Sequence, residues 1–209
     1  MSKEIIFLGG LLLSYLIGSI PTAYILVKII KNQDIRKIGS GNVGATNASR
    51  ILGKPMGFFV LLVDIIKGVV PVVFIAEYII RFYSFSDIIR LILGVSAIVG
   101  HNWPIFLNFK GGKGVATTFG VLIGLALKIK GLVWVVLSCI AIWIGVLLFI
   151  RIVSIASIFS AFFLPIFMYI FNQSKEFIFI SFILSGLIFL RHIPNIRRLI
   201  KGKEPSIRG

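Results

Sequence analysis

Acids, histidines and cysteine are all scarce in this chain, and each scarcity removes a class of chemistry. Only 7 Asp and Glu occur in 209 residues, and they are spread apart, which argues against a carboxylate-held metal cluster. One cysteine, Cys139, sits in an apolar run, so there is no disulfide framework and no cysteine metal site. Neither a metal nor a cofactor is expected. Charge as a whole is sparse, at 14% against 58% hydrophobic residues, and the mean hydropathy is +1.05. A soluble domain carries roughly 25% charged residues. Water cannot solvate such a surface, so the chain belongs in a bilayer. What charge there is, is positive: 22 Lys and Arg give a net +15. In a soluble protein that would point to nucleic acid. Here the cheaper reading is cytoplasmic loops facing anionic lipid and an anionic substrate, with no nucleic-acid partner and no obligate protein partner.

Seven apolar segments can be read: Ile5–Val27, Pro55–Ile80, Ile88–Phe109, Val115–Leu127, Gly131–Ile150, Ile152–Phe171 and Phe177–Leu190. The first is too long for a signal-peptide core and reads as a retained helix, bent near Gly18 and Pro21. Val115–Leu127 and Phe177–Leu190 are 13 and 14 residues, shorter than the usual lower limit of about 17. Five spans with two re-entrant pieces are therefore the competing count. With seven spans and the N-terminus outside, 15 Lys and Arg from Lys28 to Arg208 face the cytoplasm, 6 face outward (Lys3, Arg81, Arg90, Lys128, Lys130 and Lys175) and Lys67 lies within a span. That asymmetry favours N-out and C-in. The expected fold is an all-α polytopic membrane protein of seven transmembrane helices, forming one domain over residues 1–209. A short amphipathic interfacial helix is expected near the C-terminus, starting at Pro194 and capped by Gly202.

Under this topology the unusual polar sequence collects at the cytoplasmic face. In the first segment Gly39, Gly41 and Gly44 satisfy G-x-G-x-x-G, but no βαβ unit surrounds them, so a dinucleotide fold is rejected. Closely spaced glycines still let backbone N–H groups turn inward onto an anion. Ser40, Asn42, Thr46 and Asn47 add neutral donors, and Arg50 can grip a phosphate or carboxylate bidentately. A flexible polar loop is the plain alternative. In the second segment Leu107 and Gly114 break the Walker pattern. Gly111, Gly112 and Gly114 nevertheless lead directly into an apolar run, where free helix-start N–H groups with Lys110 and Lys113 would make an anion site. A tight turn with lipid-facing lysines is the alternative. His101 lies near the inner end of its span, with structural and site roles evenly matched. In the third segment His192, Asn195 and Arg198 fall at i, i+3 and i+6 and share a helix face, or else form part of a basic lipid-binding tail. Asp64 and Lys67, three apart inside an apolar run, read as a structural ion pair.

Glycine-rich anion grips, cations and two histidines at the inner leaflet fit non-metal acyl transfer to a phosphorylated alcohol. They suit an anion transporter less, because transporters place sites near the midplane, often within inverted repeats. A basic scaffold would not need ordered glycine motifs. The motifs Gly18-Ser19-Ile20-Pro21, Gly39 to Asn47 with Arg50, Gly100-His101, Phe109 to Thr117, Asp64 to Gly68, and His192 with Asn195 and Glu204 resemble the bacterial acyl-phosphate:glycerol-3-phosphate acyltransferases (the PlsY family). The resemblance runs from about Gly18 to Glu204. It implies a seven-helix enzyme of the bacterial cytoplasmic (inner) membrane, working in phospholipid biosynthesis. Its substrates would be acyl phosphate and glycerol 3-phosphate, joined at the sn-1 hydroxyl. It further implies catalytic roles for Ser40, Arg50, His192 and Asn195. Phosphate binding falls to Gly111, Gly112 and Gly114 with Lys110 or Lys113, and a structural role to Glu204.

Overall fold

The computed structural model describes residues 2–83 and 86–207. Arg208, counted above among the inner cations, lies outside them. Every regular element among the described residues is helical. Six helical runs are long and apolar enough to cross a membrane, making this a multi-pass membrane protein. A seventh apolar helix, Val115–Ala126, has 12 residues and rises only about 18 Å.

The chain forms two compact units, Met1–Lys128 and Ile129–Gly209. The first contains α1 (Lys3–Ser19), α2 (Thr22–Lys31), α3 (Ala45–Leu52), α4 (Lys54–Val70), α5 (Ala76–Ile79), α6 (Ser86–Asn102) and α7 (Val115–Ala126). Between α1 and α2 the first span breaks at Ile20–Pro21, where proline cannot continue the ladder. Between α4 and α5 a π-helical turn, Pro71–Ile75, carries the chain past a second proline. Arg90 of α6 reaches this turn. It donates to the Val72 carbonyl at 2.9 Å and to Glu77 at 2.8 Å. Counting Arg90 as an outer-loop cation therefore needs correction: it is 5% exposed on α6 and spent on a backbone carbonyl.

Helix packing in lipid gains little from apolar transfer, so close backbone approach matters more. Two crossings in the first unit depend on glycine. A Cβ on Gly18 of α1 would stand 2.0 Å from the Ala97 carbonyl of α6, and one on Gly100 of α6 would stand 2.2 Å from the Tyr15 carbonyl. Gly68 of α4 and Gly120 of α7 meet in the same way, against the carbonyls of Thr117 and Ile65.

The second unit contains α8 (Leu132–Ile150), α9 (Val153–Ile170) and α10 (Lys175–Ile200). Serines bridge its helices: Ser160 donates to the Cys139 carbonyl at 3.0 Å and Ser185 to the Ala161 carbonyl at 2.7 Å. Phe149, 90% exposed, would be a liability in water and is ordinary surface in lipid. Two sequence expectations change here. The last span is not a short segment ending at Leu190, and no separate interfacial helix starts at Pro194. A single 26-residue helix runs through Pro194 to Ile200. Proline at that position removes one backbone donor, a loss that membrane helices tolerate. The helix ends in a Schellman motif, with Gly202 at φ 64° and amides of Gly202 and Lys203 donating to Leu199 and Arg198 carbonyls.

Gly18→Ala and Gly120→Ala should each destabilise the protein by about 1–3 kcal/mol, the range for overpacking. Gly145→Ala and Gly186→Ala, which meet nothing within 4 Å, should be neutral or slightly stabilising. Thermal unfolding in detergent, compared across the four variants, checks this.

Candidate active site

The first glycine segment is entered through a latch. Asp34 caps the 3-10 turn Ile35–Lys37 by accepting from the Arg36 amide at 2.9 Å. It also pairs with the Arg36 guanidinium at 2.7 Å. The hydrogen bond from Arg36 holds the Asp34 carboxyl down at about 2. Arg36 also lies 5.4 Å from the centre of the Tyr24 ring, a cation–π distance. Its far nitrogen donates to the Leu107 carbonyl at 3.4 Å.

Beyond the latch, Gly39 and Gly41 take positive φ (59° and 71°), which the turn requires. Asn47, fully buried on α3, clasps the loop. Its Oδ1 accepts from the Ser40 amide at 2.9 Å, and its Nδ2 donates to the carbonyls of Ile38 and Asn42 at 3.1 Å each. The carboxamide of Asn47 is thus spent on shaping the loop. Ser40, Gly41 and Asn42 remain half-buried, Gly44 is buried, and Thr46 and Arg50 are exposed.

The second glycine segment folds back on the end of α6. The Gly112 amide donates to the His101 carbonyl at 3.1 Å, and the Gly111 amide to the Asn102 carbonyl at 3.3 Å. Gly114, at φ 79°, caps α7. Gly112 is the point where the two motifs meet. A Cβ there would stand 2.1 Å from His101 Nε2 and 2.8 Å from the Val43 carbonyl. Lys110 is exposed, Lys113 half-buried and Thr117 buried on α7.

These pieces close on a small polar cavity of about 10 Å³, room for roughly one water. Val43, His101, Gly111 and Gly112 line it, together with Gly18 to Ala23, Asp64, Lys67 and Pro104. Lys67 anchors its floor. The ammonium pairs with Asp64 at 2.6 Å and donates to the Ile20 carbonyl at 3.0 Å, and both side chains are almost fully buried. Asp64 also lies 3.8 Å from the His101 ring. The structure therefore joins Gly18-Ser19-Ile20-Pro21, both glycine segments, His101 and the Asp64–Lys67 pair into one place.

In the second unit, four residues form another network. Glu204 accepts from Ser154 at 2.8 Å, Asn195 at 2.5 Å and Arg198 at 2.7 Å. Burial pushes the Glu204 carboxyl up, but those three hydrogen bonds and the Arg198 charge outweigh it and hold the carboxyl below its usual range. Next to this network, His192 Nδ1 sits 2.8 Å from the Ile188 carbonyl. A carbonyl only accepts, so Nδ1 carries the proton and Nε2 is the basic nitrogen of the neutral ring.

Comparison with known proteins decides the family. Residues 8–202 match the model of the Glycerol-3-phosphate acyltransferase family. The chain belongs to that family. A glycerol-3-phosphate acyltransferase of Prochlorococcus marinus (strain MIT 9215) is 43% identical over 93% of this chain and 94% of its own. Another, of Macrococcus caseolyticus, is 43% identical over 94% and 95%. The crystal structure of PlsY (YgiH), an integral membrane glycerol 3-phosphate acyltransferase, in its glycerol 3-phosphate form superposes with a TM-score of 0.84. It is 35% identical over 96% of this chain and 95% of that one. Its lysophosphatidic acid form gives 0.80 at 34% identity.

Sequence reading of this acyltransferase missed the Asp34–Arg36–Tyr24 latch and the part played by the Val43 carbonyl. An acid two residues before an arginine is too common a spacing to stand out, and a carbonyl leaves no trace in residue type. It also missed Ser154, whose partner is 50 residues away.

Lys67→Met should cost about 3–5 kcal/mol, because it strands Asp64 in the bilayer. Adding Asp64→Asn should recover most of that loss, as unfolding midpoints of the single and double variants would show. The Glu204 clamp should be fully formed above the ordinary carboxylate value of 4.5 and loosen as pH falls through the lower folded value. Exchange protection of the Ile207 amide, which donates to the Arg151 carbonyl, should fall over that range in the native protein. In Glu204→Gln it should be low and insensitive to pH.

Proposed function

We propose that the protein transfers an acyl group from acyl phosphate to the sn-1 hydroxyl of glycerol 3-phosphate, giving 1-acyl-glycerol 3-phosphate and inorganic phosphate. The observation that carries the reading is the meeting of two glycine turns at Gly112, beside a buried lysine and a histidine. An acceptor that is itself a phosphate ester suits the cations beside these turns, while the Gly111 and Gly112 amides, which donate to the Asn102 and His101 carbonyls, shape the turn itself. The solved relative with glycerol 3-phosphate supports the same assignment.

In this reaction the sn-1 oxygen attacks the acyl carbonyl carbon and the carbon–oxygen bond to phosphate breaks. Acyl phosphate already carries a good leaving group, so holding the two reactants in order does most of the work. On this reading Lys110 or Lys113, beside the turn that Gly111, Gly112 and Gly114 shape, takes the acceptor phosphate. Gly39, Gly41, Asn42, Gly44, Thr46, Asn47, His101, Thr117 and Arg198 complete or support the binding surface. Ser40 and Arg50 hold phosphate oxygens, and Ser40 is not acylated. Asn195, clamped by Glu204, helps stabilise developing charge. The departing proton goes to His192 Nε2 or to a substrate phosphate, and the pH–rate profile of His192→Gln separates the two. The polar motifs then face the cytoplasm from a bacterial inner membrane. Val115–Ala126 counts as a seventh, shortened span, and the N-terminus lies outside.

Purified protein in detergent, without added metal, should make lysophosphatidate from palmitoyl phosphate and glycerol 3-phosphate. It should make none from palmitoyl-CoA. Product from the thioester alone, or an acylated Ser40 found by mass spectrometry, would contradict the proposal.

A further inference from the structure

A buried polar atom without a partner is costly, so one that faces a cavity points to a group that meets it there. Thr22 opens α2 directly after the break at Pro21. It is only 8% exposed, and among the described residues nothing pairs with its Oγ1. Thr22 and Ala23 both line the polar cavity described above. Helix starts leave backbone amides unpaired. At this one the Thr22 amide turns back to the Ile20 carbonyl and the Ile25 amide reaches the Pro21 carbonyl, while among the described residues no carbonyl takes the Ala23 amide. Lys67 supplies a further donor. Two of its three N–H groups go to Asp64 and Ile20, and the residue lines the same cavity.

Size and charge decide what fits these donors. A cavity of about 10 Å³ takes one oxygen atom and not a whole phosphate group. The Asp64 carboxylate also lines it and answers the Lys67 charge, so the pair leaves no net charge at the site. Such a place suits an oxygen that arrives neutral and becomes negative later. A carbonyl oxygen under nucleophilic attack is one. A phosphate oxygen, charged from the start, is met better by Lys110 and Lys113, which are exposed and half-buried.

We propose that this cavity is the oxyanion pocket of the reaction, in which the Thr22 hydroxyl and the Ala23 amide donate to the acyl carbonyl oxygen, with Lys67 as the cation beside them. The inference rests on the acyl-transfer reading above and adds which atoms take the charge that the reaction creates. As the sn-1 oxygen bonds to the acyl carbon, the carbonyl π pair moves onto the carbonyl oxygen. That oxygen, now an anion, is held by the three donors. The pair then returns to the carbon, the carbon–oxygen bond to phosphate breaks, and inorganic phosphate leaves with the electrons of that bond. The hydroxyl proton goes to His192 Nε2 or a substrate phosphate, as above. The helix break and the ion pair fix these donors before the substrate arrives, so they need no reorganisation when charge develops.

Thr22→Val keeps the side-chain shape and removes the donor, and Thr22→Ser restores it. Thr118→Val is the control, because it deletes another buried, unpartnered hydroxyl, on α7 and outside the lining of the cavity. With palmitoyl phosphate as donor, Thr22→Val should lower kcat by about ten- to a hundredfold. Its KM for glycerol 3-phosphate should stay put, and its unfolding midpoint should not fall. Thr22→Ser should recover most of the lost rate, and Thr118→Val should match the wild type. A methylene phosphonate analogue of palmitoyl phosphate with an isotope-labelled carbonyl gives a readout that needs no variant. Once competition with palmitoyl phosphate shows it bound to the wild type, its carbonyl infrared band should lie at lower frequency than in detergent alone. Thr22→Val should reverse part of that move. Native kcat in folded Thr22→Val, or a carbonyl band that does not move in the wild-type complex, overturns the pocket. If the wild type makes no product from any acyl phosphate, it is the acyl-transfer reading that fails.

Discussion

Inside a bilayer a backbone carbonyl released from its helix must find a donor within the protein, and the first unit is arranged around one such carbonyl. Pro21 breaks the first span, and the Ile20 carbonyl at the break accepts from the Thr22 amide and from Lys67. A lysine there is tolerable only if its charge is answered, and Asp64 answers it from one turn away on the same helix. The pair has excellent geometry and little solvent. That fits a group kept for the shape it enforces more than for net stability. Around it gather the helix break, His101 and the two glycine segments.

Glycine serves two purposes in that gathering. At Gly18, Gly100, Gly68 and Gly120 it lets helices touch backbone to backbone, which substitutes for the apolar driving force that lipid does not provide. At Gly39, Gly41 and Gly114 it permits turns of positive φ. Gly112 belongs to neither class alone. Its bare Cα is what allows the His101 ring and the Val43 carbonyl to approach the same point. Arg36 works at longer reach, tying the entrance of the first loop to the turn after α6.

Much of this was legible in the sequence. The membrane class followed from charge scarcity, the bend near Pro21 from proline chemistry, and the Asp64–Lys67 pair from an i, i+3 spacing inside an apolar run. The glycine motifs marked the residues that the structure collects, and the family followed from their order. The rest was hidden for physical reasons. The apolar run to Leu190 hid a helix that continues ten residues further, to Ile200, because hydropathy reports lipid contact and not hydrogen bonding. Asn47 read as a donor for ligand, since composition shows a carboxamide but not whether the loop has already claimed it. Arg90 read as a loop cation because the π-helical carbonyl that draws it inward is a backbone feature.

The central claim is that the two glycine turns meet at Gly112 to grip the acceptor's phosphate. The most direct measurement is equilibrium binding of radiolabelled glycerol 3-phosphate, without donor, to Gly112→Ala beside Gly145→Ala. A methyl at Gly112 would press on His101 Nε2 at 2.1 Å, so the first variant should stay folded yet lose at least about tenfold in affinity, as for a loss of about 1.4 kcal/mol. The second should bind as the native protein does. Native affinity in folded Gly112→Ala would contradict the account.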